Sequence, residues 1–171
     1  KIIFRYGDSS KENIWANLLD EFVVDRIVIS SNIRHAKPLL SVIQSKSSSI
    51  RPRIIIVGTT GVHSKFKKYS SIYKSLENSI SNYDGQFLVL RPTMIYGGYK
   101  DKNFHKVIKF IKKYKLFFIF ESGNNLFRPI YYMDLAKAVS KACQDQKIKG
   151  FIDLAGETII SYKELLKLIF F

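Results

Sequence analysis

Residues 53–58, Arg-Ile-Ile-Ile-Val-Gly, constrain the fold of this chain more than any other stretch. The run is apolar on both faces, whereas a strand with one wet face alternates apolar and polar residues. It therefore predicts a central strand of a parallel sheet, with helices covering both sides. The apolar runs at 26–30 and 86–91, each bounded by polar residues, predict buried strands beside it. Further strands are expected at 2–6, 116–120 and 150–155.

Between these runs the period changes to that of helices. Ile14, Leu18 and Phe22 share one stripe of a helix over 14–22. Residues 36–44 predict a second, with Pro38 tolerated in its first turn, and 69–82 a third. Over 103–114, Phe104, Val107, Ile108, Ile111 and Tyr114 fall on one side, and Lys106, Lys109, Lys112 and Lys113 largely on the other. Asp134 is expected to cap a helix ending near Gln146. Ser161-Tyr-Lys-Glu164 is a capping box that opens a final helix. The stretch 45–51, with four serines, reads as a surface loop.

Strand and helix in alternation define an α/β domain built on a parallel sheet. At 171 residues the chain has the length of one ordinary domain, able to bury roughly 70% of the surface its unfolded form exposes. One main domain is expected, with a C-terminal portion from about residue 98 packed against it. Apolar residues at 46% and charged residues at 25% are a globular balance, not that of a disordered tail. No apolar run reaches the ~18 residues of a membrane span. The single cysteine, Cys143, excludes a disulfide scaffold and a Cys-rich zinc module, and its neighbours Ala138, Val139 and Ala142 make it a buried small hydrophobe. His35, His63 and His105 lack metal-ligand spacing. Residues 1–8 are too short and polar for a signal peptide, so a cytoplasmic location is expected.

The net charge is +14, carried mostly by lysine. Lysine without arginine is a poor base reader, so the charge is read first as a solvated basic surface. Nucleic acid or an anionic membrane is the lesser reading; it rests on 100–115, which hold seven lysines and one aspartate.

Ligands of an open parallel sheet bind beyond the carboxyl ends of its strands. Here those positions are Gly7-Asp8, Ser30-Ser31-Asn32, Gly58-Thr59-Thr60-Gly61 and Pro92–Gly97 by number 92–97. Hydroxyls, small residues and one carboxylate suit a sugar- or nucleotide-like ligand, although small polar residues are common at any strand end. The stretch 58–64 is not read as a phosphate loop, because Ser64 occupies the third glycine position and lysines follow it. Thr59 and Thr60 end one strand, and Tyr69, Tyr73 and Lys74 fall on the next helix. A phenol beside an ammonium and a hydroxyl can move a proton at a substrate alcohol or carbonyl. Tyr69 and Tyr73, four residues apart, could equally be a packed aromatic pair.

Four stretches carry a family likeness: 53–64, Tyr69-Ser-Ser-Ile-Tyr-Lys-Ser-Leu-Glu77, Leu90-Arg-Pro-Thr-Met-Ile-Tyr-Gly97 and Arg128-Pro-Ile-Tyr-Tyr-Met-Asp-Leu-Ala136. Residues 156–165 fit the same pattern. The chain resembles the NAD-dependent epimerase/dehydratase family, the extended or atypical branch of the short-chain dehydrogenase/reductases. The resemblance covers roughly residues 50 to 165 well and 1 to 45 more loosely.

It implies a Rossmann-like doubly wound sheet binding NAD or NADP, and reversible hydride chemistry at a nucleotide-sugar-like alcohol or carbonyl. By the same resemblance Thr59 holds the substrate, Tyr69 is the catalytic acid/base and Lys74 its cation, and Asp8 lies near the adenine. Ser30 and Ser31 pass the cofactor ribose, and Pro92 and Thr93 lie by the nicotinamide. A small-molecule substrate is the implied partner, and a homodimer is left open.

Two departures bear on function. The family's lysine falls four residues after the tyrosine, where this chain has Tyr73, with Lys74 one residue late. Without that cation a phenol keeps a pKa near ~10 and is a poor base at neutral pH. The family also opens with a strand and a glycine-rich turn that cradles the pyrophosphate. This sequence lacks them, so an N-terminal truncation of at least a β-α-β portion, ~30 residues, is expected, with weak or no cofactor binding by this chain alone. The end at 169–171 is likewise expected to be cut. The rival reading is a non-catalytic dinucleotide-binding or scaffold protein on the same fold.

Overall fold

The computed structural model describes residues 2–46, 51–98, 101, 104–119 and 122–170. In chain order the elements are α1 (Glu12–Glu21), β1 (Arg26–Ile29), α2 (Ala36–Ser45), β2 (Arg53–Val57), α3 (Lys67–Ser81), β3 (Phe87–Pro92), β4 (Ile95–Tyr96), α4 (Phe104–Tyr114), β5 (Leu126–Phe127), β6 (Ile130–Tyr131), α5 (Tyr132–Gln144), β7 (Gly150–Leu154), β8 (Ile160–Ser161) and α6 (Tyr162–Phe170). Short 3-10 helices, Ile33–His35 and Thr60–His63, follow β1 and β2. The chain divides into two units: Lys1–Arg91 with Lys141–Ile152, and Pro92–Ser140 with Asp153–Phe171.

The first unit is built on a sheet of order β1-β2-β3-β7. β1 pairs with β2 and β2 with β3, both in parallel, with Ile55 opposite Val28 on one side and Leu88 on the other. Ile54, Ile55 and Ile56 are wholly inaccessible to water, as the unbroken apolar run requires. Each such side chain contributes roughly 1.5–3 kcal/mol over its exposed state. Leu39, Leu40 and Ile43 of α2 and Ile80 of α3 form one core cluster with Ile54 and Ile56. At the carboxyl end of β2 the Gly58 N–H donates to the Leu90 carbonyl at 2.7 Å. A β-carbon at Gly58 would stand 2.9 Å from Val89 Cγ1, so a larger residue there would have to displace the Val89 side chain.

The starts of β1 and β2 carry a feature the sequence reading missed. Arg53 is buried, and its guanidinium donates to the carbonyls of Ala142 at 2.6 Å, Asp145 at 3.1 Å and Ile148. Arg26 donates to the Cys143 carbonyl at 2.7 Å. Two cations thus satisfy the carbonyls at and beyond the end of α5, where the helix dipole favours positive charge. Cys143 itself is half-buried.

The second unit has shorter strands. β4 pairs with β6 in parallel and β5 with β8 antiparallel, over two residues each. Its helices are fixed by clear local signals. The capping box forms: Glu164 N–H donates to Ser161 Oγ at 3.2 Å, and Ser161 N–H to Glu164 Oε2 at 2.8 Å. Gly97 has φ +84°, and a β-carbon there would overlap the Tyr131 ring at 2.4 Å.

Several sequence expectations are corrected. Residues 2–6 form no strand; they are exposed, and Arg5 pairs with Glu21 of α1 instead of joining a ladder. Residues 116–119 form no strand either, and Phe120 lies outside the described residues. Asp134 does not cap α5, which begins two residues earlier at Tyr132; its carboxylate accepts from Lys137 Nζ at 3.0 Å. Tyr114 is exposed rather than on the buried side of α4. Of the expected loop at 45–51, residues 47–50 lie outside the description.

Candidate functional site

Ser30 and Ser31 follow the carboxyl end of β1, and Thr59 follows that of the neighbouring β2. After β1, Ser30 and Ser31 are exposed. Asn32 caps the 3-10 turn, accepting from the Arg34 N–H at 3.0 Å, and so places His35. His35 Nδ1 is shared by two hydroxyls, Ser9 Oγ at 2.7 Å and Ser31 Oγ at 3.1 Å. In the tautomer with the proton on Nε2, the single Nδ1 lone pair accepts from these hydroxyls, one at a time. This links the Asp8 turn to the end of β1. Trp15 Nε1–H donates to the Ser9 carbonyl at 2.8 Å and ties the same turn to α1. Asp8 accepts from the Ser10 N–H at 2.9 Å. Hydrogen bonds from Ser10, side chain first and backbone second, hold the Asp8 carboxyl below its usual range. It is therefore ionised at neutral pH and can only accept. The sequence reading treated the histidines as dispersed; the i, i+4 spacing of Ser31 and His35 was the available signal.

After β2, Thr59 caps the second 3-10 turn, its Oγ1 accepting from the Gly61 N–H at 3.0 Å. This turn is a capped helix start and not a glycine-rich cradle. α3 contributes the remaining groups. Tyr69, in its first turn, is 59% exposed and open to a ligand. Tyr73 behaves differently: it is half-buried against the core cluster, and a β-carbon at Gly61 would lie 3.0 Å from its Cε2. Tyr73 rather than Lys74 therefore packs beside the Thr59 turn, and Lys74 is exposed.

One ion pair holds α3 to the sheet. Arg91 of β3 donates to both carboxylate oxygens of Glu77, at 2.8 and 2.6 Å, and its guanidinium lies 4.6 Å from the centre of the Phe151 ring. Both partners are nearly buried. Such bidentate pairing fixes orientation as well as position. Arg91 is thus a structural residue, as its place at a strand end suggests.

The second unit carries Pro92 and Thr93. Pro92 is buried. Thr93 donates its hydroxyl to the Arg128 carbonyl at 2.6 Å and its N–H to the Leu154 carbonyl at 2.8 Å. The same unit holds a cavity of about 690 Å³, whose lining includes Tyr96, His105 and Tyr131 and the acidic Asp101, Asp134 and Glu157. Asp101 is committed to the start of α4, accepting from the Phe104 N–H at 3.2 Å.

No protein-family model and no curated protein matches the sequence. Solved structures do match. UDP-glucuronic acid 4-epimerase from Bacillus cereus, in complex with NAD, superposes with a TM-score of 0.73 at 19% identity, over 91% of this chain and 61% of that one. A double mutant of dTDP-glucose 4,6-dehydratase from Streptomyces venezuelae, with NAD bound, gives 0.74 at 15% identity, over 95% and 61%. UDP-glucose 4-epimerase from Thermotoga maritima, with UDP-glucose, gives 0.72 at 14%, over 98% and 67%. The chain has the fold of these enzymes. The expected Rossmann-like parallel sheet is therefore present, and the likeness read from the motifs agrees with the structural one. The chain spans about three fifths of the length of the first two.

Some of the groups present can hydrogen-bond a nucleoside: exposed hydroxyls at Ser30 and Ser31 after β1, and an ionised carboxylate at Asp8, whose turn follows no strand. Among the described residues of the first unit, no glycine-rich strand-to-helix turn supplies backbone N–H groups for a pyrophosphate.

Proposed function

We propose that this chain is part of an NAD(P)-dependent epimerase, dehydratase or reductase acting on a nucleotide-sugar-like alcohol or carbonyl. The reading rests on one observation above all: Thr59 caps the turn directly after β2, and Tyr69 stands exposed in the first turn of α3, the helix that the Glu77–Arg91 pair holds to the sheet. When bound, the nicotinamide would take up and return a hydride. On this reading the Thr59 hydroxyl orients the substrate oxygen, and the Tyr69 phenol gives or takes its proton. Lys74 stands for the family's cation on this reading, one residue later than the usual spacing. The Asp8 carboxylate binds toward the adenine, and Ser30 and Ser31 bind the ribose. Pro92 and Thr93 shape the nicotinamide end. The substrate is a small molecule, and NAD and NADP are both admitted.

The test is turnover of UDP- and dTDP-hexoses by the protein carrying this chain. Tyr69→Phe should lower kcat by about 10²–10⁴-fold while circular dichroism is unchanged. Unaltered turnover would remove Tyr69 from the chemistry. A second reading, a dinucleotide-binding protein without catalysis, is favoured by the half-buried Tyr73 beside the Thr59 turn. NADH quenching without turnover of any sugar nucleotide, by the unaltered protein and by Tyr69→Phe alike, would establish it.

A further inference from the structure

We propose that α4 and the stretch after it, residues 104–119, dock this chain on an anionic lipid surface. The surface goes beyond the dinucleotide reading and does not depend on it. From 104 to 119 the sequence carries Lys106, Lys109, Lys112, Lys113 and Lys115 and no acidic residue. The inner face of α4 is already used: Phe104 and Ile111 are buried, and α4 packs on α6. What remains outside is both basic and apolar. Tyr114 is 56% and Phe118 64% exposed, and Phe110, Leu116 and Ile119 are exposed with them. Two of these rings, Phe110 and Tyr114, belong to a chain of aromatic contacts. The Phe110 ring lies 4.8 Å from Tyr114 and 6.0 Å from Phe117, and Phe117 lies 6.1 Å from Tyr162 of α6.

Exposed aromatic and aliphatic side chains set among lysines are the composition of an interfacial membrane contact. Other occupants fit less well. A single nucleic-acid strand would use the lysines and stack on the rings, but it gains nothing from Leu116 and Ile119. A second copy meeting through a two-fold axis would set the same five lysines against themselves. Among the described residues no helix is long and apolar enough to cross a membrane.

The test uses the protein carrying this chain and co-sedimentation with vesicles. One set is a three-to-one mixture of phosphatidylcholine and phosphatidylglycerol; the other is phosphatidylcholine alone. The chain should bind the anionic set, and raised salt should weaken binding. Each lysine near such a surface strengthens binding by about fivefold, so replacing Lys109, Lys112 and Lys113 together by Gln should weaken it on the order of a hundredfold. In Phe118→Trp, the indole emission of the new side chain, set against the parent's Trp15 background, should shift to the blue on anionic vesicles and be quenched by lipid-borne quenchers. Equal binding by the triple variant overturns the proposal. So does salt-sensitive binding with no change in emission, which is a solvated basic face. Two further results also overturn it: a doubled mass abolished by Phe118→Ser without vesicle binding, or binding to single-stranded DNA without vesicle binding.

Discussion

The two units bury their apolar residues in different ways. The first sets β2 at the centre of its sheet, where three isoleucines in succession meet no water, and bolts α3 to β3 with a nearly buried ion pair. The second is made of two-residue ladders, caps and aromatic contacts, and leaves Leu126, Tyr132 and Leu168 exposed. Its Asp134–Lys137 pair is open to solvent. The difference follows from strand length. A long parallel strand buries both faces and dictates its neighbours, whereas short ladders leave local motifs to fix the geometry.

The largest expected effect sharpens this contrast. Glu77→Ala leaves the Arg91 guanidinium buried without its carboxylate, which costs about 3–5 kcal/mol. Lys137→Ala in the second unit should cost no more than about 1 kcal/mol, as for exposed pairs generally. Urea midpoints of the two variants measure the difference, and equal losses would break the comparison. Next comes the core. Ile55→Ala opens a cavity at a fully enclosed site and should cost about 2–5 kcal/mol. Leu168→Ala, on the exposed side of α6, should stay within about 0.5 kcal/mol.

The sequence revealed these units unevenly. The three parallel strands of the first unit were legible within a residue or two, because unbroken apolar runs admit few other structures. The capping box was legible because its two residues bond each other and need nothing from elsewhere. The runs at 2–6 and 116–120 misled for the opposite reason: apolar residues show that a strand could form, not that a neighbour exists to pair with it. For the candidate site, the sequence made legible the places of Thr59 and the Ser30-Ser31 pair after strands and of Tyr69 on a helix. The His35 link between Ser9 and Ser31 escaped, since its partners are 26 and 4 residues away and only the fold unites them. The positions of Arg26 and Arg53 at the end of α5 were hidden likewise, being contacts across more than 80 residues.

A smaller effect separates the units by pH. The Tyr83 phenol in the first unit donates to the Pro52 carbonyl at 2.6 Å, and burial pushes its pKa up to about 12 from 10.0. A pKa raised in the folded state means the contribution is intact below pH 10 and lost as pH rises through 12. Unfolding midpoints of the parent chain should therefore fall between those values more steeply than those of Tyr83→Phe. At neutral pH that variant should lose only about 1 kcal/mol for the hydrogen bond. Parallel curves would place the Tyr83 phenol in water.

The smallest effect belongs to the capping box of the second unit. Hydrogen bonds from Ser161, backbone first, hold the Glu164 carboxyl below its ordinary value of 4.5. Here the shift has the opposite sign to that of Tyr83. The contribution is present above pH 4.5 and is lost as pH falls through the lower folded value. Glu164→Gln keeps the length of the side chain and can still accept from the Ser161 N–H, but it does not titrate. Helicity of the parent followed by circular dichroism should drop slightly below pH 4.5, and that of Glu164→Gln should not. Ser161→Ala removes the reciprocal bond and should weaken α6 at every pH, flattening the acid step as well. Because α6 rests on such local bonds while β2 rests on enclosure, acid should loosen the second unit where alkali loosens the first. A chain whose two units respond together at both extremes would have one cooperative core, and the contrast drawn from strand length would fail.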